Sequence, residues 1–162
     1  MDYISALTFC THITDGTHDS PTYQTTGYRL VTSKYIKNNK ISLYDAPLIS
    51  KFDFDKINER SKVEIDDILI SMIGTVGEVA LVDTNDFAIK NMGLFRCENK
   101  LDARFLFYYL QSSLAKKFIE EKKAGSTQQY ITLNGLKTFP IPVCSDDDKQ
   151  HIVDSMENIY AY

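Results

Sequence analysis

A chain of 162 residues, 43% hydrophobic and 25% charged with only 7 Gly and 4 Pro, has the size and composition of one folded domain. Those proportions exclude a disordered tail, a collagen-like repeat and a disulfide-stapled miniprotein, and apolar runs such as Ile68 to Ile73, broken by Ser71, fall far short of the roughly 20 residues that cross a bilayer. A net charge of −4 argues at face value against a nucleic-acid partner.

Distribution matters more than the total. Met1 to Tyr28 carries −3, Arg29 to Lys62 carries +4, Val63 to Ile89 carries −6, Lys90 to Lys123 carries +4, and the remainder carries −3. Two basic blocks separated by an acidic one provide a local positive field if folding brings them to one face. The three cysteines, Cys10, Cys97 and Cys144, are odd in number and widely spaced, which fits reduced thiols. The N-terminus has no basic region followed by an apolar core. The reading is a soluble, cytoplasmic protein.

In chain order, Asp15-Gly16 and Asp19-Ser20-Pro21 are turn chemistry. Tyr28 to Ser33 alternates as a strand, Asn38-Asn39 makes a turn, and Lys40 to Leu43 forms a second short strand. Asp67 to Met72 and Glu78 to Val82 are β-prone runs joined by Gly74-Thr75-Val76-Gly77, a hairpin whose glycines supply positive φ and whose flanking acids Glu64, Asp66, Asp67, Asp83 and Asp86 mark strand ends. Phe87 to Lys90 and Gly93 to Glu98 add further strands around a bend at Asn91-Met92-Gly93. From Leu101 the period changes: Leu101, Phe105, Tyr109, Leu114 and Phe118 recur at helical spacing, with Asp102 as N-cap and Gly125 as the stop. Ser126 to Thr132 is turn-like, Leu136 to Val143 is held extended by Pro140 and Pro142, and Ser145 with Asp148 opens a second helix striped by Ile152, Met156, Ile159 and Tyr160. The fold class is α+β: a strand-rich N-terminal two-thirds with hairpins, then a helical C-terminal part.

Catalytic hardware is scarce. Phosphate-cradling, dinucleotide-binding and zincin motifs are missing. A zinc site from Cys10, His12 and His18 lacks a fourth ligand, and Cys10 beside His12 is a poor nucleophile–base arrangement. Asp83 with Glu98-Asn99-Lys100 matches the loose pattern of an Mg²⁺-dependent nuclease, two carboxylates for the metal and Lys100 for the water, but is short enough to arise by chance. No catalytic residue, metal or cofactor is assigned. What stands out is a set of polar loops: Asp15 to Pro21, Gly74 to Gly77, Lys90 to Gly93 and Gly125 to Tyr130. Their hydroxyls, Gly-freed amides and lysines suit phosphate contact by Lys34, Ser71, Thr75, Lys90, Ser126 and Thr127, while His18, Gln128 and Gln129 carry groups that contact base edges.

The ordered series Asp15-Gly16-Thr17-His18 with Ser20-Pro21, Gly27 to Ser33, Asp67 to Ser71 leading to Gly74 to Gly77, Phe105 to Ser112, Gly125 to Ile131, Leu136 to Pro142 and Gln150 to Val153 strongly resembles the target recognition domain of type I restriction-modification specificity subunits. The resemblance implies a recognition domain, here residues 1–145, followed by a long spacer helix of which residues 146–162 are the beginning. It further implies that the assembled subunit reads a two-part sequence in double-stranded DNA and docks adenine-N6 methyltransferase subunits, and through them restriction subunits, with self-association through the C-terminal helix. Complete subunits of the family carry two such domains, so the resemblance implies that the chain is half a subunit or an excised fragment. Motif residues such as Gly125, Ser126 and Gln128 then suit backbone contact or holding the fold, and sequence choice falls to Tyr23, Gln24, Tyr35, Lys37, Asn38 and Lys51. The competing readings are the nuclease and a truncated subunit acting as an assembly partner or inhibitor.

Overall fold

The computed structural model describes residues 1–161. Eleven short strands precede Lys100 and only one follows it, giving the α+β organisation expected from sequence. Strand β1 (Tyr3–Ser5) runs into the single turn α1 (Ala6–Phe9), then β2 (His12–Asp15), β3 (Tyr23–Gln24), β4 (Tyr28–Val31), the hairpin β5 (Ile36–Lys37) and β6 (Lys40–Ile41), and β7 (Leu48–Ile49). Helix α2 (Lys51–Ser61) is followed by β8 (Ile68–Ser71), β9 (Val79–Leu81), β10 (Phe87–Ile89) and β11 (Met92–Arg96). The rest comprises α3 (Lys100–Leu110), α4 (Ser113–Lys122), α5 (Leu133–Lys137), β12 (Pro140–Pro142) and α6 (Asp146–Tyr160). None of the described helices is long and apolar enough to cross a membrane.

Two four-stranded sheets form the middle of the molecule, ordered β2-β11-β8-β9 and β10-β4-β7-β3. Period-2 alternation decides the layers. Ile68 and Ile70 pack with Phe95, Phe105, Leu106 and Leu136 on the helical side, while the intervening Leu69 packs with Leu94, Val31, Phe87 and Ile89 between the sheets. Every residue of β8 is therefore buried, which is why Ile68-Leu69-Ile70 is a continuous apolar run rather than an alternating one. Leu30, Ile49 and Ala88 on the outer face of the second sheet are covered by Phe54 and Ile57 of α2. The order of layers is helices α3 to α5, first sheet, second sheet, α2.

The expected hairpins form. Ile68 faces Leu81 across the β8–β9 pair, and Gly74 and Gly77 take φ of +77° and +96°. Asn38 and Asn39, at φ +51° and +60°, turn β5 into β6 in the two-residue geometry their sequence favours.

Three expectations need correction. The helix expected from Leu101 to Gly125 is two helices, because the Ser112 hydroxyl accepts the Ala115 N–H and starts a new one. Asp102 is not the N-cap: Asn99 caps α3 by accepting the Asp102 N–H, and the Asp102 carboxylate pairs with Lys149 of α6 at 2.7 Å. Residues 133–137, read in part as extended, form a short helix capped by Thr132. Helix α2 was not anticipated, although Ser50 followed by Asp53 is a capping pattern: the Ser50 hydroxyl accepts the Asp53 N–H. With Phe54 and Ile57 as its main apolar contacts, its periodicity is faint.

The far end of the first sheet is locked by one ion pair. Asp67, 1% exposed, takes two hydrogen bonds from Arg96, Nε to Oδ1 at 2.9 Å and an Nη to Oδ2 at 2.8 Å, and also accepts the Glu64 N–H at 2.7 Å. Removing one partner leaves a buried charge unpaired. Arg96→Ala, which leaves the buried Asp67 carboxylate without its guanidinium, is expected to lower unfolding stability by about 3–5 kcal/mol, measured as the drop in urea midpoint at unchanged slope.

Candidate nucleic-acid interface

The strand registers place the four polar loops together. Gly93 lies opposite Asp15 and Met92 opposite Ser71, so the loops that follow β2 and β8 emerge beside the connection that enters β11. Thr17 bridges to Lys90, the Gly16 N–H donates to Met92 O, and the Met72 N–H donates to Asn91 O. The fourth loop joins them from the helical layer: Ile73 and Ala124 both pair with Tyr130, the Gly74 N–H donates to Gln129 O, and the Ile131 N–H donates to Met72 O. The end of β4 arrives at the same level, since Ile89 is opposite Val31 and Lys90 N–H donates to Val31 O. The turn Ser33–Tyr35 that follows, carrying exposed Lys34, belongs to this loop end.

The same registers send the acidic block, Glu78 excepted, to the opposite end. Asp66 and Asp67 precede β8, Asp83 follows β9 and Asp86 precedes β10, all at the edge where Ile68, Leu81 and Phe95 align. The loop end meanwhile carries Lys34, Lys90 and Arg60, whose guanidinium donates to the backbone oxygens of Asp15 and Gly16.

Individual candidates fare differently. Thr75, Ser126, Thr127, Gln128 and Gln129 are exposed at the loop end. Ser71 is fully buried: its hydroxyl donates to Thr75 O and accepts the Glu78 N–H, so it shapes the turn and is closed to a phosphate. Lys90 Nζ donates to Ser20 at 2.8 Å and Lys34 lies over the Tyr35 ring. His18 has both ring nitrogens engaged within the protein, Nε2 with the Asp15 carboxylate and Nδ1 with Asn91 Oδ1, each at 2.8 Å, which leaves neither for a base edge. The hydrogen bond to Asp15, opposed by partial burial, holds its pKa above the usual imidazole value. Lys37 and Asn38 sit on the β5–β6 hairpin, which packs along β9. Tyr23 and Gln24 lie on the outer strand of the second sheet and Lys51 starts α2, away from the loop cluster.

Sequence reasoning missed Arg60 and Asn91. Arg60 lies on the unanticipated helix, but Asn91 was legible as a bend and takes φ +55°, a conformation asparagine tolerates. The nuclease set is not assembled as a site. Asp83 and Glu98 continue strands separated by β8, on the acidic end, and Asp67 between them is bound by Arg96. Among the described residues no group of three His, Cys, Asp or Glu side chains is arranged to hold a metal. The neighbouring Cys10 thiol together with burial pushes the Cys97 thiol well above the normal range.

The Gly125 loop is held by geometry that only glycine meets. Gly125 has φ +87°, and an added Cβ would lie 2.3 Å from Gln128 O. Gly125→Ala is expected to unfasten Ser126 to Gln129 while leaving the sheets intact. Faster amide exchange at Tyr130 and a stability loss of about 1–3 kcal/mol would register it.

Comparison with known proteins agrees with this architecture. The family model for the type I restriction modification DNA specificity domain matches residues 16–161. The type I restriction enzyme EcoBI specificity subunit of Escherichia coli is 26% identical over 139 residues, covering 84% of this chain and 29% of that subunit. The HsdS subunit from Thermoanaerobacter tengcongensis superposes with a TM-score of 0.72 at 18% identity, over 99% of this chain and 37% of that one. The S subunit of a type I restriction-modification system from M. genitalium does so at 0.66, again 18% identical, over 96% and 38%. The chain thus spans less than two-fifths of the length of these proteins, and at 18% identity the structural matches speak for the fold. With the family model running from Gly16 at the first loop through the C-terminal helix, the chain belongs to the type I restriction modification DNA specificity domain family.

Proposed function

We propose that this domain reads one half of a bipartite sequence in double-stranded DNA for a cytoplasmic type I restriction-modification complex, with the loop end as its DNA-facing surface. The observation that carries the reading is the gathering of four hydroxyl-, amide- and lysine-bearing loops at the end of the sheets opposite the acidic block. Lys34, Lys90, Thr75, Ser126 and Thr127 would contact phosphates, and Gln128, Gln129 and Tyr35 would approach base edges. Tyr23, Gln24, Lys37, Asn38 and Lys51 contribute where the duplex extends past the loop cluster onto the second sheet and the hairpin.

In the same proposal residues 1–145 are the recognition unit and the helix from 146 onward begins the spacer. Ion pairs of Lys149 with Asp102 and of Arg104 with Glu157 hold α6 on α3, while Ile159 and Tyr160 remain 65% and 59% exposed. Exposed apolar residues on a helix favour a further helical partner, which supports self-association or pairing with a second spacer helix. Methyltransferase subunits, and restriction subunits through them, are the partners of the assembled subunit.

Fluorescence anisotropy on duplex DNA tests the reading. Affinity is expected to fall with salt by a log–log slope of about −0.9 per phosphate contact, and Lys34→Ala and Lys90→Ala should each lower the slope by about one. Salt-insensitive binding, or slopes untouched by both changes, would sink it.

A further inference from the structure

We propose that His18 is a positioning residue whose imidazolium clamps Asp15 to Asn91, so that DNA binding at the loop end weakens as His18 loses its proton. This rests on the DNA-recognition reading and adds a proton-dependent step to it.

The geometry asks for two ring protons. A carboxylate is acceptor-only, and Asn91 presents its carbonyl oxygen, so both ring nitrogens donate. A neutral ring keeps one proton. The ionised Asp15 is the stronger acceptor and keeps its N–H, so Nδ1 gives up the proton, and the charge-assisted bond to Asn91 is replaced at best by a weaker neutral one in which the turned-over amide donates to Nδ1. That bond ties the loop after β2 to the corner where the chain passes from β10 to β11. Around it, Thr17 N–H donates to Ile89 O, Asn91 N–H donates to Thr17 O, and Lys90 Nζ donates to Ser20. Weakening that tie loosens the segment after Thr17, which with Lys56 and Arg60 walls a surface cavity of about 430 Å³.

The neighbouring charges leave His18 as the group that changes near neutrality. Asp15 on β2 faces Nε2, Arg60 on α2 lies 3.5 Å from Asp15 Oδ1, and Lys90 comes from the corner. Asp19 is on the loop itself, and Glu59 and Lys56 of α2 line the adjoining cavity. Ordinary carboxylates titrate below about pH 5, and lysine and arginine above about pH 10. His12 pairs across from Arg96 at the acidic end, and His151 lies on α6. Because the pKa of His18 is raised, the clamp contributes fully below its ordinary value of 6.5 and is lost as pH rises through the raised value.

The test uses the whole chain and a random-sequence duplex at constant salt, between about pH 6 and pH 8.5. Ring signals of His18 give its titration midpoint, amide exchange at Asn91 reports loop closure, and anisotropy gives affinity. Expected are a midpoint above that of a free imidazole, a lower Asn91 protection factor above it, and wild-type affinity falling as pH rises, by about tenfold for each unit by which DNA raises the His18 midpoint over that of the free protein. His18→Gln should bind weakly with no pH dependence. Asn91→Asp tolerates the same backbone and adds a second carboxylate, so its midpoint should move up. Parallel pH slopes for wild type and His18→Gln, or an unmoved midpoint in Asn91→Asp, overturn the proposal. An Asn91 protection factor that does not change with pH overturns the clamp while leaving DNA recognition standing, whereas binding absent at every pH overturns the recognition reading and the functional half of this one.

Discussion

The corner at Lys90-Asn91 is the constraint on which the rest of the loop end depends. Strand β10 belongs to the second sheet, parallel to β4, and β11 is central in the first, so the chain changes sheets within two residues. Asn91 makes that change possible by adopting positive φ. Its backbone oxygen then takes the Met72 N–H, its N–H reaches Thr17 O, and its side chain meets His18. Both sheets and three loops are referenced to this one short segment. Gly16 completes the contact, because a Cβ there would lie 2.2 Å from Ile89 O.

From that corner follows the separation of charge. Antiparallel pairing of β8 with β9 and β11 sends the residues before β8 and after β9 to one end and the Gly74 to Gly77 turn to the other. The −6 block is thus mostly displaced by a strand length from the loops. Buried and half-buried pairs, Asp67 with Arg96 and Asp66 with Arg104, neutralise part of it where it lies. An acidic total is compatible with a DNA surface because screening confines each block to its own end, over distances of about 8–10 Å.

The legible parts of the fold were those encoded locally. The Asn38-Asn39 and Gly74 to Gly77 turns, the apolar run of β8 and the Ser145 cap are all set by neighbours within a few residues, and they form as read. Helix α2 escaped because Phe54 and Ile57 cover only a small patch of sheet, too little for a clear period. The break at Ser112 escaped because the apolar stripe continues through it from α3 to α4. Of the candidate site, the loops were recognisable by content, but the burial of Ser71 and the engagement of His18 were not, since their partners Thr75, Glu78 and Asn91 are fixed by strand register.

The amino-acid order by itself determined the α+β class, the turn positions, the polar loops and, through an ordered series of motifs, the family. Tertiary structure alone decided that the four loops share one end, that most acids of the Val63 to Ile89 block occupy the other, and which loop side chains remain free. The physical reason is range. Turn and cap chemistry act over three or four residues and are written in adjacent positions. Sheet order and register instead join segments as distant as Ile4 and Ile141, and depend on how all the apolar faces are buried together.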